Sequence, residues 1–350
     1  MRALICAVTC SAAQITAAAE AVPWERVTAA AAWQPRDSAS EVVFQNQMWI
    51  LGGWQSSFAA PPRDVWKSRD GRSWELVTKD APWRHSDFAM GVAFQDRIWM
   101  MGGWYNGRLE GATAGNQVWS SANGEQWELV SAAAAWTPRM AAGIVTFRNR
   151  LWILGGTEQY YFGNGASFKN DVWRSADGRN WTQELAHAPW SPRAFHQAVV
   201  FDDKIWVLGG GRYLPEYSAT NDVWCSADGR QWTCVTEHAP WEPRLWFSAF
   251  VYRSRLWILG GWSKNPSTHA AAPHETWPQS DGVTTMANWG DLWSSADGKN
   301  WSQLATANSW KPRHEASVFV FHDAIFVAGG HARPLSNEVW RLQLPAGWAP

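Results

Sequence analysis

The chain has 350 residues, and 46% of them are hydrophobic, so it is long enough to bury a large core. Its 30 basic and 31 acidic residues nearly cancel, and the sequence has no basic stripe, which argues against a nucleic-acid footprint and a polybasic membrane patch. We therefore expect no nucleic-acid partner and no insertion into a membrane.

The N-terminus differs in composition from the rest of the chain. Residues 1–21 carry one Arg, a modest apolar stretch from Ala3 to Ala12, and small residues that end in Ala19-Glu20-Ala21. This order is typical of a secretory signal peptide, here cleaved before Val22, and it predicts an exported protein, either periplasmic or secreted. Polar residues interrupt the apolar stretch, so the alternative is a cytoplasmic protein that keeps an uncleaved N-terminus.

Tryptophan recurs along the remainder of the chain in four columns that mark a repeat. The first column contains Trp24, Trp74, Trp127, Trp181, Trp232 and Trp301, and the second lies nine residues later, from Trp33 to Trp310. The third runs from Trp49 to Trp257 with Phe326 in the last unit, and the fourth contains Trp66, Trp119, Trp173, Trp224, Trp293 and Trp340. Each unit holds four short segments that alternate as half-buried strands do, such as EVVF, MWILGG, DVWKS and WELV in the first.

Six such units predict an all-β fold, a six-bladed β-propeller with one blade of four antiparallel strands per repeat. The repeat places the blades at about residues 36–77, 86–130, 139–185, 193–235, 244–304 and 313–344. The last unit has no room for a fourth strand, because Pro345, Gly347 and Pro350 follow it closely. We expect residues 22–28 to supply that strand and to close the ring, which makes residues 22–350 a single domain.

Glycine pairs add a family resemblance. Each second strand ends in Gly-Gly, from Gly52-Gly53 to Gly329-Gly330, and an aromatic residue on the third strand and a Trp on the fourth follow it. This pattern resembles the kelch repeat of the galactose-oxidase-like superfamily over residues 22–344, with Trp where Tyr often stands. More distantly, the chain is similar to sialic acid mutarotase, an exported six-bladed kelch propeller in which a carboxylate and an arginine act on a sugar.

A short turn of the form S-x-[DN]-G joins the third and fourth segments. Its Asp or Asn followed by Gly is typical of a type I turn closed by a left-handed glycine, which would place Trp224 opposite Trp232. In that register Cys225 and Cys234 point to opposite sides of the sheet. Two buried thiols and a disulfide both remain open, the latter if the turn is longer.

Length variation is confined to one connection in each unit. The separation between the third and fourth columns ranges from 14 to 36 residues, whereas the other spacings hardly change. We call these second-to-third-strand connections the variable loops, and the segments that lead into each first strand the entry segments. Successive connections of an up-and-down blade alternate ends, so both sets lie on one face, where binding usually resides.

Arginines and tryptophans on that face are the candidate ligand-binding residues. An arginine recurs three residues after the second-column Trp, at Arg36, Arg139, Arg193, Arg244 and Arg313, with Ser86 in the second unit. If these side chains point inward they suit a bidentate carboxylate; the alternative is a structural role that every blade demands. The tryptophans outside the columns that we single out are Trp54, Trp104, Trp246 and Trp262, which suit a sugar ring or serve as ordinary packing.

Evidence for catalysis is thinner in the sequence. Glu216 and Glu315 are the candidate acid–base residues, and Asp37, Asp87 and His314 lie in entry segments as Glu315 does. No catalytic motif or phosphate-binding loop occurs, and the histidines have no metal-ligand spacing, so we expect no metal and no cofactor.

The sequence thus predicts an exported propeller that binds a glycan, a sugar acid or a protein on the face of the variable loops. The resemblance implies two alternatives to a carbohydrate-binding protein. One is a mutarotase or epimerase, with Glu216 or Glu315 acting beside Arg193, Arg244 or Arg313, and the other is a scaffold for protein–protein interaction. The residues leave open whether the chain is an enzyme.

Overall fold

The computed structural model describes residues 21–267 and 273–348, and within these ranges the protein consists of β-strands with no α-helix. The predicted signal peptide over residues 1–21 therefore lies, except for its last residue, outside the described residues. No helix in the described ranges is long and apolar enough to cross a membrane.

Six four-stranded antiparallel sheets form the body of the described chain. Sheet 1 contains Ser40–Phe44, Gln47–Leu51, Val65–Ser68 and Glu75–Thr78. Sheet 2 contains Met90–Phe94, Arg97–Met101, Val118–Ser121 and Glu128–Ser131. Sheet 3 contains Gly143–Thr146, Leu151–Thr157, Phe168–Ser175 and Trp181–Leu185. Sheet 4 contains Gln197–Phe201, Lys204–Arg212, Ser218–Ser226 and Thr233–Thr236. Sheet 5 contains Ser248–Tyr252, Arg255–Leu259, Leu292–Ser295 and Trp301–Gln303. Sheet 6 contains Ser317–Phe321, Ala324–Ala328, Val339–Leu342 and Glu25–Thr28.

Sheet 6 combines the two ends of the described chain, because Glu25–Thr28 pairs antiparallel with Val339–Leu342. The remaining strands are short. They form a two-stranded sheet of Trp104–Tyr105 and Thr113–Ala114, a three-stranded sheet of Trp262–Lys264, His274–Pro278 and Thr285–Trp289, and a parallel pair of Val22–Pro23 and Thr306–Ala307. A single 3₁₀ turn, Gly165–Ser167, interrupts the variable loop of sheet 3.

The tryptophan columns pack the sheets together. Each second-column indole meets a first-column indole edge to face at 5.8–6.1 Å, and the last of these pairs joins Trp310 to Trp24. The third-column residues reach the turn of the neighbouring sheet: a Cβ on Gly124 would lie 2.4 Å from Trp49, and one on Gly71 would lie 3.0 Å from Phe326. Since these glycines also have left-handed backbones, both conformation and packing exclude other residues there.

The turns between third and fourth strands are longer than the sequence predicts. Trp224 lies opposite Cys234, and Cys225 opposite Thr233, so the predicted pairing of Trp224 with Trp232 is wrong. The extra length comes from the turn's own hydrogen bonds, in which the hydroxyl of Ser226 accepts from Gly229 and the carboxylate of Asp228 accepts from the two following amides. Cys225 and Cys234 are both half-buried free thiols.

Candidate functional site

The entry segments converge on a ring of six residues that we call the inner ring: Ser38, Phe88, Ala141, Phe195, Trp246 and Glu315. All six have left-handed backbones, with φ between 50° and 59°. Backbone hydrogen bonds of 2.9–3.2 Å connect them from one sheet to the next, as where Phe88 donates to Ser38 and Ser38 donates to Glu315. Phe195 and Trp246 instead meet through their rings, 5.5 Å apart. The ring fixes six side chains around one centre.

A cavity of about 320 Å³ lies on the side of the inner ring from which the variable loops emerge. Its lining residues from the variable loops are Trp54, Ser57, Arg108, Tyr160, Tyr161, Tyr213, Trp262, Trp277, Gln279, Met286, His331 and Arg333. The entry segments contribute Asp37, Ser38, Asp87, Phe88, Trp246, His314 and Glu315. All six units therefore contribute to one cavity, at the end of the molecule where the sequence predicts binding.

Aromatic rings form the wall of the cavity. Trp246 packs against Trp262 and against Tyr213, each at a ring separation of 4.9 Å. The ring of Tyr160 lies 5.6 Å from that of Phe88 and 6.0 Å from that of Tyr213. Tyr160 therefore connects Phe88 with the group formed by Tyr213, Trp246 and Trp262. Planar apolar faces of this kind suit the C–H faces of a sugar or the charge of a cation.

Carboxyl groups form the floor. The hydroxyl of Ser38 lies 3.0 Å from the Asp37 carboxyl and 2.7 Å from that of Glu315, so it bridges two acids from opposite ends of the sequence. Burial raises the pKa of Glu315 well above its ordinary value, and the nearby Asp37 carboxyl raises it further. Burial also raises the pKa of Asp37, although the hydrogen bond from His331 opposes this shift. Both acids are thus poised to hold a proton.

Asp87 is the third acid of the floor and the one without a partner. The residue is 1% exposed, and neither carboxyl oxygen has a hydrogen-bond donor in suitable geometry among the residues that the structure describes. The hydroxyl of Ser38, which lies between Asp37 and Glu315, acts to lower the pKa of Asp87. Burial, and then the charge of Asp37, nevertheless raise the pKa of Asp87 well above its ordinary value.

Two histidines stack between two tryptophans beside this floor. The rings follow in the order Trp54, His331, His314 and Trp246, with separations of 6.1, 4.9 and 5.2 Å. His331 Nδ1 lies 3.2 Å from Asp37, and His314 Nδ1 lies 2.6 Å from the amide oxygen of Asn288. Burial lowers the pKa of His314 well below its ordinary value, so its imidazole is neutral.

Potential ligand atoms of Asp37, His314 and His331 lie within 4.8 Å of one another, a grouping that the sequence spacing does not reveal. Nitrogen lone pairs point outward in the plane of an imidazole ring. Because the two imidazoles stack face to face, at an interplanar angle of 23°, their lone pairs do not converge on a single ion. A metal would require one ring to leave the stack.

The five arginines of the predicted binding column lie outside the cavity as its described residues define it. They are at most 2% exposed, and each holds an acid of its own sheet: Arg36 with Asp64, Arg139 with Asp171, Arg193 with Asp222, Arg244 with Asp291, and Arg313 with Glu338. Each also donates to the first carbonyl of the Gly-Gly pair. Fully occupied guanidinium groups cannot receive a ligand, so the assignment of these five arginines as ligand-binding residues is corrected in favour of the structural alternative.

In the second unit both members of this ion pair are replaced. Ser86 stands in place of the arginine, and Gln117 stands where the other five units have Asp or Glu. Ser86 donates instead to the carbonyl of Pro62, at 2.6 Å. Arginine and acid are therefore present together or replaced together, as expected for a structural pair.

The remaining predicted residues divide between the cavity and other places. Trp54, Trp246, Trp262 and Glu315 line the cavity. Trp104 is fully buried behind the wall, where its indole donates to Gly107, and Glu216 is exposed outside the cavity. Several lining residues were not predicted from the sequence, among them Arg108, Tyr160, Tyr161 and Arg333, because they lie in loops without a repeat. Arg108 stacks on Tyr161 at 4.4 Å and Arg333 on Trp277 at 4.1 Å, both at the rim.

Comparisons with known proteins give limited further information. No protein-family model matches the chain. The chain is similar to a curated protein, the dynein alpha chain of the flagellar outer arm from Chlamydomonas reinhardtii, with 29% identity over 223 residues. This match covers 58% of the present chain but only 4% of the dynein chain. It indicates a shared segment within a much longer protein and carries no activity from one to the other.

Proposed function

We propose that the protein is an exported six-bladed kelch-type propeller that binds a carbohydrate in the cavity above the inner ring. The blade arrangement is supported by contacts between first strands, which run from sheet 1 through sheet 6 and from sheet 6 back to sheet 1. The pairing of Glu25–Thr28 with Val339–Leu342 supports closure by the N-terminal strand. Export rests on the composition of residues 1–21.

Unmatched polar atoms around one aromatic cavity are the observation that carries the binding proposal. The indole N–H groups of Trp54 and Trp246 and both carboxyl oxygens of Asp87 are buried without a partner in the described parts of the chain. A buried polar group without a hydrogen bond costs roughly 1–3 kcal/mol. A sugar can satisfy this set, because its hydroxyl groups both donate and accept while its C–H face packs on the aromatic wall.

Thermal shift measurements on the purified protein test the proposal. The panel contains neutral sugars, an amino sugar, sialic and uronic acids, and short glycans, each titrated over a concentration series. We expect a dose-dependent rise in melting temperature with at least one sugar, since a ligand at 100 times its Kd stabilises by about 2.7 kcal/mol. Trp54→Ala should reduce the rise to about half at the same sugar concentration, whereas Trp33→Phe, at a position outside the cavity, should keep it. A flat response across the panel would contradict the proposal.

An enzymatic role is the second candidate, and the position of Glu315 favours it. This carboxyl lines the cavity, shares Ser38 with Asp37 and has a raised pKa, which are properties of a general acid. If the protein is a mutarotase, Glu315→Gln should abolish accelerated mutarotation in polarimetry while sugar affinity is largely kept. A pure binding protein should show no acceleration before or after the change.

A protein-binding scaffold is the third candidate. Four large apolar side chains in the variable loops are exposed, namely Phe58, Leu109, Phe162 and Val283, and exposed apolar groups on one face are typical of interaction surfaces. The similar protein is itself named as a chain of the flagellar outer arm. Failure of the sugar panel together with pull-down of a partner that Phe58→Ser and Phe162→Ser abolish would favour this candidate.

A further inference from the structure

We propose that the ligand of this cavity carries a primary ammonium group, as an amino sugar does, and that Asp87 is its main anchor. The inference rests on the proposed carbohydrate site and specifies its ligand class. It begins from the carboxyl group that is 1% exposed, lines the cavity and has no hydrogen-bond donor in suitable geometry among the described residues.

Charge around the floor is unbalanced. Asp37, Asp87 and Glu315 supply three carboxyl groups, and the side chains that contact them are a hydroxyl and the imidazole of His331. The two arginines of the cavity, Arg108 and Arg333, instead stack on aromatic rings at the rim. A cationic group placed on the floor would stabilise the charged form of these buried carboxyl groups, for which the described residues supply no arginine or lysine partner.

The surroundings suit an organic cation better than a metal ion. Phe88, Tyr160 and Trp246 line the same cavity as the acids, and aromatic ring faces attract an ammonium group and its carbon skeleton. Calcium would need six to eight oxygen ligands, and the stacked imidazoles of His314 and His331 do not aim at one point. A primary ammonium group can also donate N–H hydrogen bonds to the carboxyl oxygens of Asp87, whereas a quaternary ammonium group has no N–H to donate.

Calorimetric titration of the purified protein at pH 6.5, where the amine is protonated, tests the inference with glucosamine, glucose, N-acetylglucosamine and glucuronate. A hydrogen bond to a charged group is worth enough to make glucosamine bind roughly 10- to 100-fold more tightly than glucose. N-acetylglucosamine and glucuronate should bind no better than glucose. This comparison uses the unaltered protein and so does not depend on the folding of any variant.

Two variants locate the effect. Asp87→Asn keeps the shape of the side chain and should bring the ratio of glucosamine to glucose affinity close to one. Asp177→Asn, on an exposed turn away from the cavity, is the matched control and should leave the ratio unchanged. If Asp87→Asn does not fold, Glu315→Gln is the substitute and should reduce the ratio by at least a factor of three.

The outcomes separate the two proposals. Equal affinity for glucosamine and glucose, or tighter binding of glucuronate, would overturn the ammonium inference and leave the carbohydrate site standing. Failure of all four sugars to bind would overturn the ammonium inference, and the carbohydrate site itself would be overturned only if the wider thermal-shift panel also gave no response. Titration with Zn²⁺ and Ca²⁺ forms a separate arm, and metal binding that Asp87→Asn abolishes would identify the floor as a metal site and also overturn the inference.

Discussion

Replacing Arg244 tests whether the arginine column is structural. Arg244 is fully buried; its guanidinium donates to both oxygens of Asp291 and to the carbonyl of Gly260, and it lies 4.6 Å from the ring of Trp289. Arg244→Ser leaves the carboxylate of Asp291, itself 1% exposed on its side chain, without its counter-ion. Removing one member of a buried ion pair costs about 3–5 kcal/mol.

This loss in the free energy of unfolding can be expressed as a change in melting temperature. Unfolding entropy is roughly 2.1 cal/mol/K per residue, so a domain of roughly 330 residues shifts by about 1.4 °C per kcal/mol, and Arg244→Ser should lower the melting temperature by about 4–7 °C. Sugar affinity should stay within about twofold, because Arg244 does not line the cavity.

The double variant Arg244→Ser/Asp291→Gln provides the decisive comparison. It copies the Ser86 and Gln117 combination that the second unit already uses, and it removes the stranded charge as well as the arginine. In a double-mutant cycle measured by scanning calorimetry, the double variant should recover roughly half of the loss caused by Arg244→Ser. Additive losses from Arg244→Ser and Asp291→Gln, or a large loss of sugar affinity in Arg244→Ser, would refute the reasoning.

Three further predictions concern the cavity and the turns. Trp54→Ala should weaken sugar binding about 10-fold in calorimetry with little change in melting temperature, since the side chain is half-exposed and stacks on His331. Asp87→Asn should raise the melting temperature at pH 8 more than at pH 5, because a carboxyl whose pKa is raised by folding loses its contribution to stability as pH rises; an equal change at both values would contradict this. Burial alone would raise the pKa of Asp177, but hydrogen bonds from Asn180 and Arg179 lower it to about 2, so its stabilising contribution should vanish between about pH 4 and pH 2. In that interval the melting temperature of Asp177→Asn, which imitates the natural Asn123 turn, should fall less than that of the unaltered protein.

The sheets could be predicted because their signals are local. Alternating apolar residues, the Gly-Gly pairs and the spacing of the tryptophans all act within a few residues of one strand, and they place Gln47–Leu51 and its equivalents correctly. The role of the arginines was also recoverable from sequence, since the joint replacement at Ser86 and Gln117 indicates a pair. The arginine column alone is compatible with either role, and the pairing becomes visible only when the acidic column is compared with it.

The site could be predicted only as a face. Glu315 lies next to Asp37 because both contact the hydroxyl of Ser38. Glu315 and Ser38 are 277 residues apart in the sequence, and no local sequence pattern predicts a contact over that separation. The left-handed backbones of Phe88, Phe195 and Trp246 were equally hidden, because bulky residues rarely adopt this conformation. The cavity therefore follows from the assembly of the units rather than from any one of them.

The inner ring has a consequence for how such a protein can change. Its hydrogen bonds join main-chain atoms, and six different environments already tolerate a hydroxyl, a methyl, a carboxyl and three large aromatic groups at the same backbone conformation. Side chains at Ser38, Phe88, Ala141 and Glu315 can therefore be exchanged without loss of these main-chain hydrogen bonds, whereas Phe195 and Trp246 also contact each other through their rings. New ligand specificity could arise by single substitutions at the ring, in evolution or in the laboratory, while the scaffold beneath stays the same.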